Sequence, residues 1–128
     1  MRFMPLSMTL AALIAAACTP SVTVPATPIS LTEAQNSFAR TAMAIRLQDP
    51  ASAQFQDITA YALPNGGRII CGMLNARNGF GSYNGFAPFY LRLRNDAVVR
   101  AYHDDGSGYG PAFIGCTRAA EGLIAVSG

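Results

Sequence analysis

The 128-residue sequence contains no tryptophan, no lysine, one histidine and three cysteines. Its formal charge is only +2, and it falls to +1 without residues 1–17, because eight arginines then face seven acids. A nucleic-acid-binding surface needs a dense basic face, so the charge gives no case for a nucleic-acid partner. One histidine and no C-x-x-C pair supply too few ligands for a zinc site. We therefore expect no nucleic acid, no metal and no cofactor.

Residues 1–17 have the form of a secretory signal peptide. An apolar run of about 14 residues follows Arg2, ends in small residues and is too short to span a bilayer. The segment Ala15-Ala16-Ala17-Cys18 resembles the lipobox of bacterial lipoproteins, in which the cysteine becomes lipidated, although Ala15 stands where leucine is usual. The sequence therefore predicts export, with the protein periplasmic or anchored to the outer membrane by a lipid on Cys18. We expect no other contact with a membrane.

The two remaining cysteines, Cys71 and Cys116, form an even pair in an oxidising compartment. A disulfide between them closes a loop of about 45 residues, which in the chain-entropy model stabilises the fold by about 4 kcal/mol. That is comparable to the net stability of a small domain. The alternative, two buried free thiols, suits an exported protein poorly.

Residues 18–29 contain three prolines and no charged side chain. Such a composition is typical of a semi-extended linker. We expect a tether that makes no packing contacts and lifts the domain roughly 30 Å from a membrane anchor, at about 3 Å per residue.

A helix is predicted from Ser30 to Gln48. Ser30 and Glu33 have the spacing of a capping box, and Pro50 disfavours helical geometry in the residue before it. The helix is expected to pack on the core through an apolar stripe at helical spacing. The residues of this stripe are Leu31, Ala34, Phe38, Ala42 and Ile45.

Strand-like segments follow, separated by turn signals at 64–67 and 95–96. They are residues 55–63, 68–74, 89–94 and 97–102. In the third segment Phe89, Leu91 and Leu93 alternate with Tyr90, Arg92 and Arg94, which predicts one apolar face and one face with two guanidiniums in solvent.

About half of the residues are apolar, enough for one core and, at this length, one domain. The predicted fold class of residues 30–128 is α+β. An N-terminal amphipathic helix packs on a four-stranded antiparallel sheet, with Phe38 against Phe89. A short C-terminal helix, within residues 111–123, brings Cys116 to the sheet.

Two motifs resemble those of an uncharacterised family of small exported bacterial proteins, some of them lipoproteins. They are DPASAQF (49–55) and CGMLNARNGFGSYNGFAPF (71–89), against family patterns of roughly DPxSAxF and CGxVNAKNxxGxYxGFxxF. This sequence departs from them at Leu74, where valine is common, and at Arg77, where lysine is common. The resemblance covers about a third of the chain and implies export, but it implies no activity or cofactor.

The segment from Asn75 to Phe86 is open to two interpretations. In the first it is a recognition loop for an envelope protein or a cell-wall glycan or peptide, with amides, a guanidinium and aromatic faces as contacts. The candidate binding residues are Asn75, Arg77, Asn78, Phe80, Tyr83, Asn84 and Phe86. In the second, the asparagines and glycines occupy turn positions and pin the loop through backbone hydrogen bonds, while the aromatics close one end of the sheet.

The single histidine, His103, precedes Asp104 and Asp105. A hydrolase would use His103 as a general base oriented by one of these carboxylates. Nothing in the sequence resembles an activated nucleophile, and a solvated turn is the better explanation of the three residues. We therefore assign no catalytic residue and no enzymatic activity.

These observations predict an exported, lipid-anchored envelope protein that acts as a binding or structural module through residues 75–86. One alternative is a secreted inhibitor of a cell-wall enzyme of the lysozyme type. The other is a hydrolase dependent on His103.

Overall fold

The computed structural model describes residues 18–127, so the predicted signal peptide lies outside the described residues. Seven strands and two α-helices form within this range. In chain order they are β1 (Ser21–Pro25), β2 (Thr27–Ile29), α1 (Glu33–Ala44), β3 (Gln54–Ala62), β4 (Gly67–Asn75), β5 (Ala87–Arg94), β6 (Ala97–His103), α2 (Pro111–Ala120) and β7 (Leu123–Ser127).

The fold is mostly β, so the predicted α+β class with one four-stranded sheet is wrong. The described strands form a five-stranded antiparallel sheet in the order β2–β3–β4–β5–β6 and a two-stranded sheet of β1 and β7. The helices have only 12 and 10 residues. Strands β3 to β6 lie at the predicted positions, and the additional strands come from the predicted tether and from residues after α2.

The segment predicted as a tether is folded into both sheets. Ser21 to Pro25 pair with β7, and Thr27 to Ile29 pair with β3. Pro28 is tolerated because β2 is an edge strand of the larger sheet, where a missing backbone N–H costs no ladder bond. The composition therefore indicated extended backbone correctly, but the expectation of no packing was wrong.

Helix α1 begins later and ends earlier than predicted. Its capping box is formed by Thr32 and Gln35, with Thr32 Oγ1 accepting from Gln35 N at 3.1 Å and Gln35 Oε1 accepting from Thr32 N at 3.0 Å. Ser30 and Glu33 were therefore the wrong pair, since the cap lies two residues further along the chain.

The face of α1 that packs on the sheet agrees with the predicted stripe at Ala42 but differs from it at Phe38 and Ile45. The buried residues are Ala39, Ala42 and Met43, whereas Phe38 is 43% exposed and Ile45 is 66% exposed. The larger ring of Phe38 therefore lies at the rim of this contact.

The five-stranded sheet is covered on both faces. On the first face, α1 packs on an apolar cluster that contains Phe89, Leu91 and Leu93. On the second face, α2 and the β1–β7 pair cover Tyr90, Cys71 and Ile69. We call these the α1 face and the α2 face.

This double layer corrects the prediction for the outward side of β5. Tyr90 and Arg92 are each only 6% exposed, although they alternate with Phe89 and Leu91 as predicted, and of the two arginines only Arg94 is exposed. Period-two alternation separates the two faces of a strand, but it does not show that one of them faces solvent.

The predicted disulfide between Cys71 and Cys116 is confirmed. It joins β4 in the middle of the sheet to α2, across the α2 face. Cys18 is exposed and unpaired with another cysteine. None of the helices in residues 18–127 is long and apolar enough to cross a membrane.

Candidate functional site

The candidate binding residues lie at the connection between β4 and β5. Asn75 is the last residue of β4, and the others belong to residues 76–86, which we call the aromatic loop. The structure therefore brings the predicted residues together at one end of the sheet. Their side chains are used in different ways.

Asn78 fixes the backbone of the aromatic loop. Its Oδ1 accepts hydrogen bonds from the backbone N–H groups of Phe80 at 2.9 Å and Ser82 at 3.2 Å. Its Nδ2 donates to Asn84 Oδ1 at 3.1 Å, and its own backbone N–H donates to the Ser82 carbonyl at 2.9 Å. Gly81 takes a φ of +77° at the tip, which a side chain would strain. The Asn78 amide is thus engaged within the loop.

Asn75 holds the other end of the loop. It is 8% exposed, and its Oδ1 accepts from the backbone N–H of Gly85 at 3.1 Å. Its Nδ2 donates to Gln54 Oε1 on the neighbouring strand at 3.4 Å. For the three asparagines these contacts support the interpretation in which amides pin the loop rather than contact a ligand.

Ser52 attaches the aromatic loop to residues 49–55. This side chain is buried, and its Oγ accepts from the backbone N–H of Arg77 at 2.8 Å and donates to the Asp49 carbonyl at 2.7 Å. The Ser52 carbonyl accepts from the Tyr83 hydroxyl at 3.0 Å. Arg77 Nε lies 3.1 Å from Asp49 Oδ2. The motifs at residues 49–55 and 71–89 are therefore joined by hydrogen bonds to one buried side chain, that of Ser52.

The same two motifs also pair as neighbouring strands. Phe55 on β3 lies opposite Leu74 on β4, and its ring packs edge-on against Phe89 with centroids 5.6 Å apart. A Cβ on Gly72 would meet the Phe89 ring at 2.7 Å, so the glycine provides the space that this ring fills. Cys71 therefore places its sulfur on the α2 face, and the adjacent Gly72 leaves a gap on the α1 face.

Few groups of the loop remain available to a partner. Phe80 is 95% exposed, the largest exposure of any large apolar side chain in residues 18–126. Tyr83 is 44% exposed, although its hydroxyl is engaged. Phe86 is half-buried. The exposed part of the candidate site therefore consists of the two aromatic side chains Phe80 and Tyr83, with Arg77 and Asn84.

An open cleft of about 390 Å³ lies at the base of the loop. Its lining includes Arg46, Arg77 and His103 and no carboxylate. Each of these groups contacts the protein itself. Arg46 Nη1 donates to the Ala42 carbonyl, Arg77 pairs with Asp49, and His103 Nε2 lies 2.9 Å from the Leu74 carbonyl, to which it donates.

The residues around His103 do not assemble a base–carboxylate pair. Asp104 is buried and caps α2, its Oδ1 accepting from Ala112 N at 2.9 Å and its Oδ2 from Phe113 N at 2.8 Å. Hydrogen bonds from Ser107 lower the pKa of the exposed Asp105 carboxyl. Both carboxylates are therefore engaged with groups other than the imidazole.

Sequence reasoning missed the structural roles of Ser52 and Asp104. The signal for Asp104 was weak, because it precedes the first residue of α2 by seven positions and reaches the helix across a glycine-rich loop. Ser52 lies inside a recognised motif, but its spacing to Arg77 carries no local pattern.

No group of three or more His, Cys, Asp or Glu side chains in residues 18–127 is placed to hold a metal ion. No family model, curated protein or solved structure matches the chain. The resemblance of residues 49–55 and 71–89 to exported bacterial proteins thus rests on their motifs alone.

Proposed function

We propose that the protein is an exported, lipid-anchored binding module of the bacterial envelope and that the aromatic loop is its contact surface. The observation that carries this proposal is Phe80, an almost fully exposed aromatic ring at the tip of a hydrogen-bonded loop. Aromatic side chains are enriched among the residues that dominate binding energy at interfaces. Phe80 packs on no core, so its burial by a partner would recover the hydrophobic free energy that the free protein leaves unused.

The fixed backbone of the loop favours binding. A flexible loop loses conformational entropy when it binds, whereas a loop held in one conformation loses less. Hydrogen bonds to Asn78 fix the tip of this loop, and a hydrogen bond to Asn75 fixes one end of it. A further hydrogen bond to Ser52 attaches the loop to residues 49–55. Their hydrogen bonds therefore act in recognition indirectly, by orienting Phe80 and Tyr83.

The proposed compartment follows from the lipobox-like segment at Cys18 and agrees with the disulfide, which persists in oxidising environments. The proposed partners are an envelope protein or the glycan or peptide of the cell wall.

Binding is tested with immobilised protein and two separate samples, solubilised envelope proteins and purified cell-wall sacculi. Phe80→Ser should reduce capture about tenfold or more, as expected for an aromatic anchor worth at least 1.4 kcal/mol. Phe38→Ser is the matched control, because Phe38 is also exposed but lies on α1, outside the loop. Equal capture by wild type and Phe80→Ser in both samples would end the proposal.

A second variant tests the role of the loop backbone. Ser52→Ala removes the acceptor for Arg77 N while leaving Phe80 in place. We expect faster amide exchange at Arg77 and weaker capture by the same immobilised protein. Unchanged capture with faster exchange would show that the loop need not be fixed.

Anchoring and inhibition are tested separately. Cys18→Ser should abolish incorporation of labelled palmitate and release the protein from membranes, and retention of both would disprove lipidation at this residue.

Inhibition of lysozyme by the purified protein, lost in Phe80→Ser, would instead identify the partner as a cell-wall hydrolase.

A further inference from the structure

A second concave surface lies on the α2 face, away from the aromatic loop. It is a groove of about 410 Å³ between β6, α2 and β7. The cross-strand pairs Tyr90–Tyr102 and Arg92–Arg100 form its floor. Ile114 and Arg118 of α2 form one wall.

The charge of this groove is of one sign. Among the described residues, three arginines and no carboxylate line it, and Arg92 is already engaged within the protein. Arg92 and Arg100 lie directly opposite each other on β5 and β6, and like charges in that arrangement oppose strand pairing. Among residues 18–127, neither Arg100 nor Arg118 forms an ion pair with a carboxylate. Arg100 Nη1 donates to the Val99 carbonyl at 3.0 Å, and the charges of Arg100 and Arg118 are thus left for an anion to neutralise.

Protection of the sheet edge explains only part of this charge. Strand β6 is an edge strand, and a charged residue such as Arg100 discourages pairing with another chain. Arg118 lies in the last turn of α2, where the helix dipole favours a cation. Neither role requires the two guanidiniums to line one groove.

The groove also offers an apolar surface beside its cations. The rings of Tyr90 and Tyr102 lie 5.8 Å apart, and Tyr102 is 37% exposed. Ile114 on α2 is 45% exposed. A flat or apolar body that carries an oxyanion would contact Tyr102 and Ile114 while its charged group meets the guanidiniums.

We propose that this groove binds a small organic oxyanion, a phosphate ester or a carboxylate. The guanidiniums of Arg100 and Arg118 would hold the anion, since arginine pairs with either group through two parallel N–H bonds. Tyr102 and Ile114 would contact the ring or apolar part of the ligand. The site is distinct from the aromatic loop and stands whether or not that loop binds a partner.

Titration of the purified, isotope-labelled protein with phenyl phosphate, benzoate and neutral benzyl alcohol tests the proposal by amide NMR. At least one of the two oxyanions should cause saturable shifts in β6 and α2, weakened by added salt. Benzyl alcohol should cause none of comparable size. Stronger binding of phenyl phosphate would identify a phosphate ester as the ligand class, and stronger binding of benzoate a carboxylate.

Arg100→Ala and Arg118→Ala should each weaken binding about tenfold or more, as expected from the loss of a charge-assisted hydrogen bond. Arg40→Ala is the matched control, because Arg40 lies on α1 at the other face of the sheet. The proposal is overturned if neither oxyanion shifts β6 and α2 in the wild type. Equal shifts with benzyl alcohol, or wild-type binding by the Arg100→Ala/Arg118→Ala double variant, would also overturn it.

Discussion

The two faces of the five-stranded sheet are held by different interactions. On the α1 face, Ala39, Ala42 and Met43 pack on large apolar side chains, and no covalent bond joins the helix to the sheet. On the α2 face, the apolar cluster is smaller and a disulfide and the Asp104 cap secure α2. The α2 face also contains the arginine-lined groove. The α2 face, which carries buried polar residues, therefore depends on a disulfide and a helix cap, whereas the α1 face depends on apolar packing.

Removal of the disulfide should have the largest effect on stability and should distinguish the two faces most clearly. Cys71→Ala/Cys116→Ala is expected to lower the free energy of unfolding by about 4 kcal/mol, measured by urea denaturation. Amide exchange in α2 should accelerate more than exchange in α1, because only α2 loses its tie. Equal acceleration in both helices would show that the two faces are one cooperative unit.

Truncation of Met43 tests the packing of the α1 face. Met43→Ala should lower the free energy of unfolding by about 3 kcal/mol, as expected for a buried methionine. Phe38→Ala should cost about 0.5 kcal/mol or less, since substitutions at exposed positions rarely cost more. If urea denaturation showed a larger loss of stability for Phe38→Ala than for Met43→Ala, the helix face predicted from the sequence would be the packed one.

Loss of the α2 cap should have an intermediate effect. Asp104→Ala leaves the N–H groups of Ala112 and Phe113 without their acceptors, and we expect a loss of about 2 kcal/mol in unfolding free energy. The adjacent, exposed Asp105 provides the control, Asp105→Ala. Similar stabilities of the two variants in urea would contradict the capping role.

The smallest effect is expected at alkaline pH. Burial raises the pKa of the Tyr90 phenol, an effect that Tyr102 reinforces and that Arg92 and Arg100 oppose. The folded protein therefore holds this proton more tightly than the unfolded chain. The associated stability is complete below about pH 10, the ordinary tyrosine value, and is lost as the pH rises through the folded-state pKa.

Urea denaturation between about pH 9 and 11 checks this dependence. Tyr90→Phe should show a smaller alkaline loss of stability than the wild type. Tyr109→Phe provides the control, because Tyr109 is 83% exposed. An identical pH dependence of the wild type and Tyr90→Phe would show that Tyr90 does not cause the alkaline loss of stability.

Local patterns in the sequence predicted the turns, the disulfide and four of the seven described strands, but not the fold class. Asn65 at φ 60° and Asn95 at φ 49° occupy turn positions that their residue types favour. The second layer was not predictable from such patterns. Pairing of β1 with β7 joins residues about a hundred positions apart, and nothing in residues 21–25 identifies so distant a partner.

The position of the aromatic loop was predicted, whereas the sequence left two interpretations of its side chains open. The clustering of asparagine, glycine and aromatic residues located the aromatic loop. Whether an amide faces a ligand or the loop backbone depends on its neighbours in space, and Asn78 faces the backbone. The groove was missed because Arg118 lies on a helix and Arg100 on a strand, so their proximity is a property of the tertiary structure alone.

The folding of residues 21–29 into the two sheets changes the mechanics of the proposed anchor. Only three steps of the chain separate Cys18 from the first residue of β1, a reach of about 10 Å at most. An acyl chain on Cys18 would thus hold the domain close to the bilayer surface, and a pull on that chain would act directly on β1.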